Sequence, residues 1–257
     1  LYANASSFEL SQTPALSDRP LMDRWIISEL NTLVQEVDAA LEDFDSQIAG
    51  RALARFIDDL SNWYVRRSRR RFWDGDVAAL GTLHECLVKL TQLLAPLVPF
   101  ITEQVWQELV IPADSKQPAS VHLSDWPAVN TAAIDSELAS QVALTRRIVE
   151  LGRATRAESG IKIRQPLGRA LIAASGWSTL PEAMREQIAD ELNVQTLQDI
   201  ATADGDLVDI SVKANFKSLG AKFGGAVQEI AKAIAATDAT ALVKTLRASG
   251  VTTVGTW

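Results

Sequence analysis

One cysteine, Cys86, stands in 257 residues. It excludes an intrachain disulfide and a cysteine zinc cluster, and a lone thiol fits a reducing, cytoplasmic setting. Inside a helical pattern it reads as a small core residue. The only histidines are His84 and His122. Neither has a second ligand at helical spacing, so no metal site is expected, and His84 reads as a satisfied structural histidine. No run of about 18 uncharged apolar residues occurs, which excludes a membrane-spanning helix. The first ten residues, LYANASSFEL, lack the basic region and apolar core of a signal peptide. Gly-rich phosphate loops, Walker motifs and nucleophile elbows are absent, and KFGG at 222–225 is too short and isolated to hold a nucleotide. Asp58 and Asp59 are adjacent, point to different helix faces and cannot act as an acid–base pair; they are expected to neutralise nearby arginines. No catalytic residue is therefore nominated.

What is present is a chain of globular composition, 47% hydrophobic and 22% charged, long enough for two domains. Its net charge is −7, yet the positive charge is concentrated. Residues 1–65 carry four arginines against eleven acids. Then SNWYVRRSRRRFW, Ser61 to Trp73, places five arginines within six positions, flanked by Trp63, Tyr64, Phe72 and Trp73. Residues 145–169 hold seven basic residues against Glu150 and Glu158, and Lys213, Lys217 and Lys222 form a third basic stretch without an acid. An acidic chain that binds a polyanion must gather its cations in this way.

The first 17 residues read as loop. Asp18 offers an N-cap and Pro20 a first helical position. Apolar residues then recur at helical spacing from Leu21 to Phe44. A second helix begins near Ser46 and runs through the arginines, with Ile48, Ala52, Phe56, Ile57, Leu60 and Trp63 as its core stripe. At 100° per residue, Arg67 and Arg71 continue the face of Leu53, Leu60 and Tyr64, while Phe72 falls opposite. Asp-Gly-Asp at 74–76 is a turn. Leu80 to Leu94 forms a third helix, broken at 95–99 by two prolines. Pro99 opens a fourth, through Ile101, Val105, Trp106 and Leu109. Short links between four helices predict an antiparallel up-down bundle.

Residues 110–130 read as a connection pinned by Trp126-Pro127, followed by a long helix at 132–158. After Gly160 the period changes. Strands are expected at Ile161–Ile163, around Leu171–Ile172, at 194–200, 207–212 and 251–257, with helices at 181–192, 221–235 and 238–248. The fold class is mainly α, an antiparallel bundle over residues 1–130 followed by a smaller α+β domain over 131–257. Both ends read as cuts in a longer protein.

Arginine pairs with phosphate bidentately and aromatic rings stack on unpaired bases, so the arginine run suits RNA. A carboxylate-paired cluster closing the bundle would use the same residues, and the run alone leaves both readings open. Arg66, Arg69 and Arg70, with Trp63, are the RNA candidates; Arg67 and Arg71, on the apolar face, are assigned to structure. In IKIRQP, Lys162 and Arg164 alternate with isoleucines and would share one side of a strand. Lys213, Lys217 and Lys222 complete the candidate set.

SNWYVRRSRRRFW, followed by LLAPLVPFITEQVWQEL, resembles the anticodon-binding helical bundle of class I aminoacyl-tRNA synthetases for isoleucine, valine and leucine. SVHLSDWP is similar to the link that ends that domain. ESGIKIRQPL, ELNV and NFKSLGAKFG are similar to the C-terminal region of the isoleucine enzymes, in the branch that includes eukaryotic cytosolic and some bacterial members. The resemblance implies the tRNA-binding portion of a cytoplasmic, monomeric ligase that charges isoleucine onto its tRNA. The nucleotide-binding signatures of the His-Ile-Gly-His and Lys-Met-Ser-Lys-Ser kind are missing, as is the editing domain. ATP and magnesium are therefore expected only where the full-length chain supplies its catalytic domain, which is itself an expected partner. The alternatives are the same region of a valine or leucine enzyme, or a noncatalytic helical scaffold.

Overall fold

The computed structural model describes residues 8–202 and 212–255. It is mainly α with a small two-stranded parallel sheet. Two compact units result, Leu1–Ala170 with Ala174–Leu197, and Leu171–Ala173 with Gln198–Trp257. The boundary expected at 130/131 falls inside the first unit. No helix among the described residues is long and apolar enough to cross a membrane.

Helix α1 spans Leu21–Glu42. It starts one residue later than the sequence predicts: Pro20 is the N-cap residue, and its carbonyl accepts from the amides of Asp23 and Arg24 at 3.0 and 3.1 Å. Asp18 sits in a short 3-10 turn and caps nothing. At the other end Phe44 was expected in the apolar stripe. It is instead 95% exposed with φ 57°, because the tight reversal needs a left-handed residue there. Asp45 then caps helix α2, Ser46–Asp58, accepting from the amides of Gln47 and Ile48.

The arginine helix differs from its α-helical projection. After α2 the chain forms a π-helical stretch, Asp59–Val65, and only then α3, Arg66–Trp73. Bonding from i to i+5 takes one extra residue into the turn and sets the following face back by roughly 100°. Ser68 and Phe72 thereby rotate into the core at 4% and 1% exposure, and Arg67 and Arg71 move to its edge. Phe72, expected on the opposite side, packs edge-on against Tyr64 with ring centroids 6.2 Å apart. Before the π stretch the buried stripe is Ala49, Ala52, Leu53 and Phe56, and within it Leu60, Trp63 and Tyr64 continue it. Ile48 and Ile57, expected in it, lie at its two edges and are exposed.

One end of the bundle is closed by a buried ionic network. Asp23 of α1 has no solvent exposure. It accepts from the Tyr64 hydroxyl at 2.9 Å and from both terminal nitrogens of Arg71 at 2.6 and 2.8 Å. Arg71 Nε reaches Asp76 at 2.8 Å, and Asp76 also caps helix α4, Val77–Leu94, through the amides of Ala78 and Ala79. Burial, and then the Asp23 carboxylate, push the Tyr64 hydroxyl far up. Burial works against the Arg71 charge, but the bonds to Asp23 and Asp76 outweigh it and hold its pKa up. Burial likewise opposes the Asp76 charge, and Arg71 with the two amides holds that carboxyl below its ordinary value.

Within α4, Cys86 is fully buried, as expected. His84 is half-buried, its pKa lowered by burial, and among the described residues its Nε2 has no hydrogen-bond partner. Helix α5, Pro99–Val105, runs through a second π stretch, Trp106–Val110, into the short α6, Ile111–Ala113. Of the Trp126-Pro127 pair expected to pin the connection that follows, Pro127 is buried but Trp126 is 39% exposed, and the tryptophan that packs there is Trp106. Trp106 is fully buried with Val121 and Ala95, and its indole N–H donates to the Pro118 carbonyl at 2.8 Å.

Asp135 caps the long helix α7, Ser136–Glu158. This helix belongs to the bundle. The Asp135 amide donates to Ser28 Oγ of α1 at 2.8 Å, and Arg146 pairs with the buried Asp59 at 2.5 Å. Strand β1, Leu167–Ile172, helix α8, Glu182–Leu192, and strand β2, Val194–Asp199, follow. Ile161–Ile163, expected as strand, are irregular chain after Gly160 at φ 68° and lead into a turn closed by the Gln165 amide on the Lys162 carbonyl. The Arg156 guanidinium gathers the carbonyls of Lys162, Ile163 and Gln165, leaving that segment no ladder to join.

In the second unit, helix α9, Phe216–Phe223, is capped by Asn215. Helices α10, Val227–Ala236, and α11, Ala239–Ser249, bury Val227, Ile230 and Leu242. The strand expected at 207–212 lies outside the described residues except for Val212. Residues 251–254 form no strand, since Gly250 and Gly255 at φ 70° and 64° interrupt the short alternation on both sides.

Three outcomes follow from this packing. Asp23→Asn should cost about 3 kcal/mol, the low end for breaking a buried ion pair because Arg71 retains Asp76. Urea denaturation checks it, and a loss below about 1 kcal/mol would assign the network a screened, surface-like strength. Phe72→Ala should cost roughly 3–5 kcal/mol, and Ile57→Ala less than about 1 kcal/mol; the reverse order would refute the π-shifted register. Asp76 has a folded pKa below its unfolded value, so its contribution is present above the ordinary carboxylate range and lost as pH falls through the folded value. In Asp76→Asn, which keeps an N-cap acceptor, the acid loss of stability below pH ~4 should be shallower than in the parent chain. Identical acid profiles would show that the ion pair does not contribute.

Candidate nucleic-acid interface

The five arginines of α3 divide into structural and outward-facing groups. Arg71 closes the Asp23 network. Arg67 lies over the Trp63 ring, its guanidinium carbon 4.6 Å from the centroid, and donates to Glu191 at 2.9 Å. Burial lowers the Arg67 pKa, and Arg66 and Arg153 push the same way against Glu191. Arg66 is more open. Its Nη2 reaches both Glu191 oxygens at 2.8 and 2.9 Å, and its Nε donates to the Asn62 carbonyl. Arg69 is exposed. Arg70 is 94% exposed, with Asp74 at 3.8 Å one turn on. Trp63 is 7% exposed, with Arg67 over its ring and Arg146 beside it at 5.5 Å. In this arrangement its ring is a platform for guanidiniums rather than an open face.

Helix α7 supplies a second row of arginines alongside α3. Arg146 and Arg153 are seven residues apart and share one helical face. Arg153 also pairs with Glu191, so one carboxylate from the last turn of α8 ties α3, α7 and α8 together. Arg156 is 5% exposed and binds the Leu192 carbonyl at the C-terminal end of α8, where the helix dipole favours a cation.

Between these elements runs a groove of about 660 Å³ lined by Arg66, Arg153, Arg156, Lys162, Ile161 and Ile163, with Ala157 and Gly160. A smaller hollow of about 300 Å³ shares Arg66 and Arg153 with it and adds Arg146, Trp63 and Glu150. The fold therefore brings Arg66 and Lys162, nominated from separate stretches, into one site. Arg164 is exposed but does not line the groove. Lys162 and Arg164 are on a turn, so the strand-face argument that joined them does not apply. Lys213, Lys217 and Lys222 belong to the second unit, where all three are exposed, the last two on α9. Sequence reasoning missed Arg146, Arg153, Arg156 and Glu191. The seven-residue spacing of Arg146 and Arg153 in a basic stretch was the available signal; Glu191 had none, because its role depends on a contact 124 residues away. Among the described residues no group of three His, Cys, Asp or Glu side chains could hold a metal ion.

Residues 23–172, which include the arginine helix and α7, match the family model described as the anticodon-binding domain of tRNA ligase. The chain is similar to an isoleucine–tRNA ligase of Streptomyces coelicolor, 56% identical over 248 residues, covering 96% of this chain and 24% of the relative. It is 55% identical to the enzyme of that name from Thermobifida fusca over 263 residues, covering 99% and 24%. The Thermus thermophilus counterpart is 38% identical over 247 residues, covering 91% and 23%. The chain thus spans about a quarter of the length of the curated relatives it matches. With the match extending over the greater part of the chain and across the helices that carry the arginine groove, the chain belongs to the anticodon-binding domain family of tRNA ligases.

Proposed function

We propose that the chain binds tRNA as the anticodon-binding part of an isoleucine–tRNA ligase. The observation that carries this reading is the arginine groove itself. An acidic chain gathers three arginines from two helices around one carboxylate, and those arginines lie inside the segment that matches an anticodon-binding domain. Isoleucine is supported by the names of the relatives. In this reading ATP, magnesium and the ligation step belong to parts of the longer enzyme that this chain does not match, and the working setting is the cytoplasm, as a monomer.

The arginines of α3 then have separate duties. Arg67 and Arg71 hold the fold. Arg69 and Arg70 contact the RNA backbone from the exposed side, and Arg66 faces the groove. Phosphate contacts release counterions, so affinity should fall with salt at a log–log slope of roughly −0.7 to −0.9 per contact. Arg69→Gln with Arg70→Gln should weaken binding of isoleucine tRNA and flatten that slope by roughly 1–2 units, with melting temperature unchanged. Gel shifts across a salt series, run against valine tRNA, measure this. Equal affinity for the two tRNAs would remove the isoleucine assignment, and an unaltered slope would remove these two residues from the interface.

A further inference from the structure

The groove holds more positive charge than its surroundings neutralise. No acidic side chain lines it. Among the described residues Glu191 alone pairs with the guanidiniums of Arg66, Arg67 and Arg153, with Asp190 adding a weaker attraction on Arg67. Each of the three gives Glu191 a single terminal nitrogen. Among the described residues Arg66 keeps Nη1, and Arg153 keeps Nε and Nη1, without a protein partner. Arg156 is buried, and its hydrogen-bond partners are backbone carbonyls. Lys162 is exposed at the groove and makes no ion pair among the described residues. Like charges held this closely repel, and a second anion in the groove would relieve them.

The remaining lining is aliphatic. Ile161 and Ile163 face the same space, and Ile163 is 41% exposed. Cations beside an apolar surface match the two parts of a nucleotide, its phosphate and its base. The volume, about 660 Å³, falls in the usual range for a small-molecule site of roughly 300–1,000 Å³. A duplex has its base faces covered by stacking and cannot use the isoleucines.

We propose that this groove seats one unpaired nucleotide of the bound RNA, its phosphate on Arg66, Arg153 and Lys162 and its base against Ile161 and Ile163. Glu191 is the positioning residue that holds Arg66 and Arg153 toward it. The assignment rests on the RNA-binding reading above.

The test uses the whole chain, isoleucine tRNA, and two competitor RNAs with the same number of phosphates, one single-stranded and one a stem duplex. Lys162→Gln should lower tRNA affinity several-fold and reduce the salt slope by about 1. Ile163→Ser should lower affinity several-fold with the slope unchanged, because it removes base contact and no charge. The single strand should displace tRNA better than the duplex, and Ile163→Ser should abolish that preference. Both side chains are exposed, so unchanged melting temperatures establish that the fold is intact. If the parent chain binds tRNA but both variants bind equally well, or the duplex competes equally, the nucleotide seat is overturned while the RNA-binding reading stands. If the parent chain binds no tRNA, the earlier reading fails and this one falls with it.

Discussion

A carboxylate with no access to water must be answered inside the protein, and Asp23 sets that condition for the whole bundle end. Desolvating an ion costs several kcal/mol, and only good geometry with further hydrogen bonds repays it. Asp23 obtains that geometry from Arg71 and Tyr64, which lie on either side of the junction between the π stretch and α3. Arg71 can reach Asp23 only if the extra residue of the π turn has already moved it to the edge of the core. Asp76 extends the network to the first turn of α4. Three helices are thereby fixed in register at the last turn of the arginine helix.

That constraint shapes what the other arginines can do. With Arg71 anchored, the helix has one orientation, and its remaining guanidiniums emerge in a fixed order. Arg67 goes onto Trp63, Arg66 toward Glu191, and Arg69 and Arg70 into solvent. Helix α7 presents Arg146 and Arg153 alongside the same surface, and both are paired, to Asp59 and Glu191. Guanidinium side chains lose considerable rotamer entropy when a ligand orders them. Here internal carboxylates have ordered several of them in advance, while their excess charge is kept. The same residues therefore hold the fold and, in the proposed reading, also meet the RNA, which is why the choice between a scaffold and an RNA surface could not be settled by counting arginines. Glu191 also lies beyond the residues that match the family model, so the carboxylate that holds Arg66 and Arg153 comes from outside the segment whose side chains line the groove.

Much of the architecture could be read in the residues, and the failures have definite causes. The long helices, the turns before α2 and α4 and the proline break before α5 all depend on interactions within a few positions. Periodicity and capping chemistry report such interactions directly. Phe72 was misplaced because an uninterrupted 3.6-residue repeat was projected through a π stretch that no residue pattern announced, whereas Ile48 and Ile57 precede that stretch and lie at the edges of the buried stripe. Ile161–Ile163 alternated like a strand, but Arg156 took its carbonyls. Trp126 was assigned the pinning role that Trp106 performs, since both are tryptophans near the connection and only packing distinguishes them.

By itself, then, the sequence determined the helical class, the positions of most turns, the concentration of positive charge on an acidic chain, and through its motifs the family. Each of these is local or additive, and neighbouring residues suffice to specify it. The helical face assigned Arg67 and Arg71 to the fold, but only the tertiary structure decided which arginines line a groove. It also decided that Arg66 and Lys162 share a site and that Glu191 governs residues more than a hundred positions away. The energy of a charge depends on what surrounds it, and its surroundings are set by helices packed from distant parts of the chain.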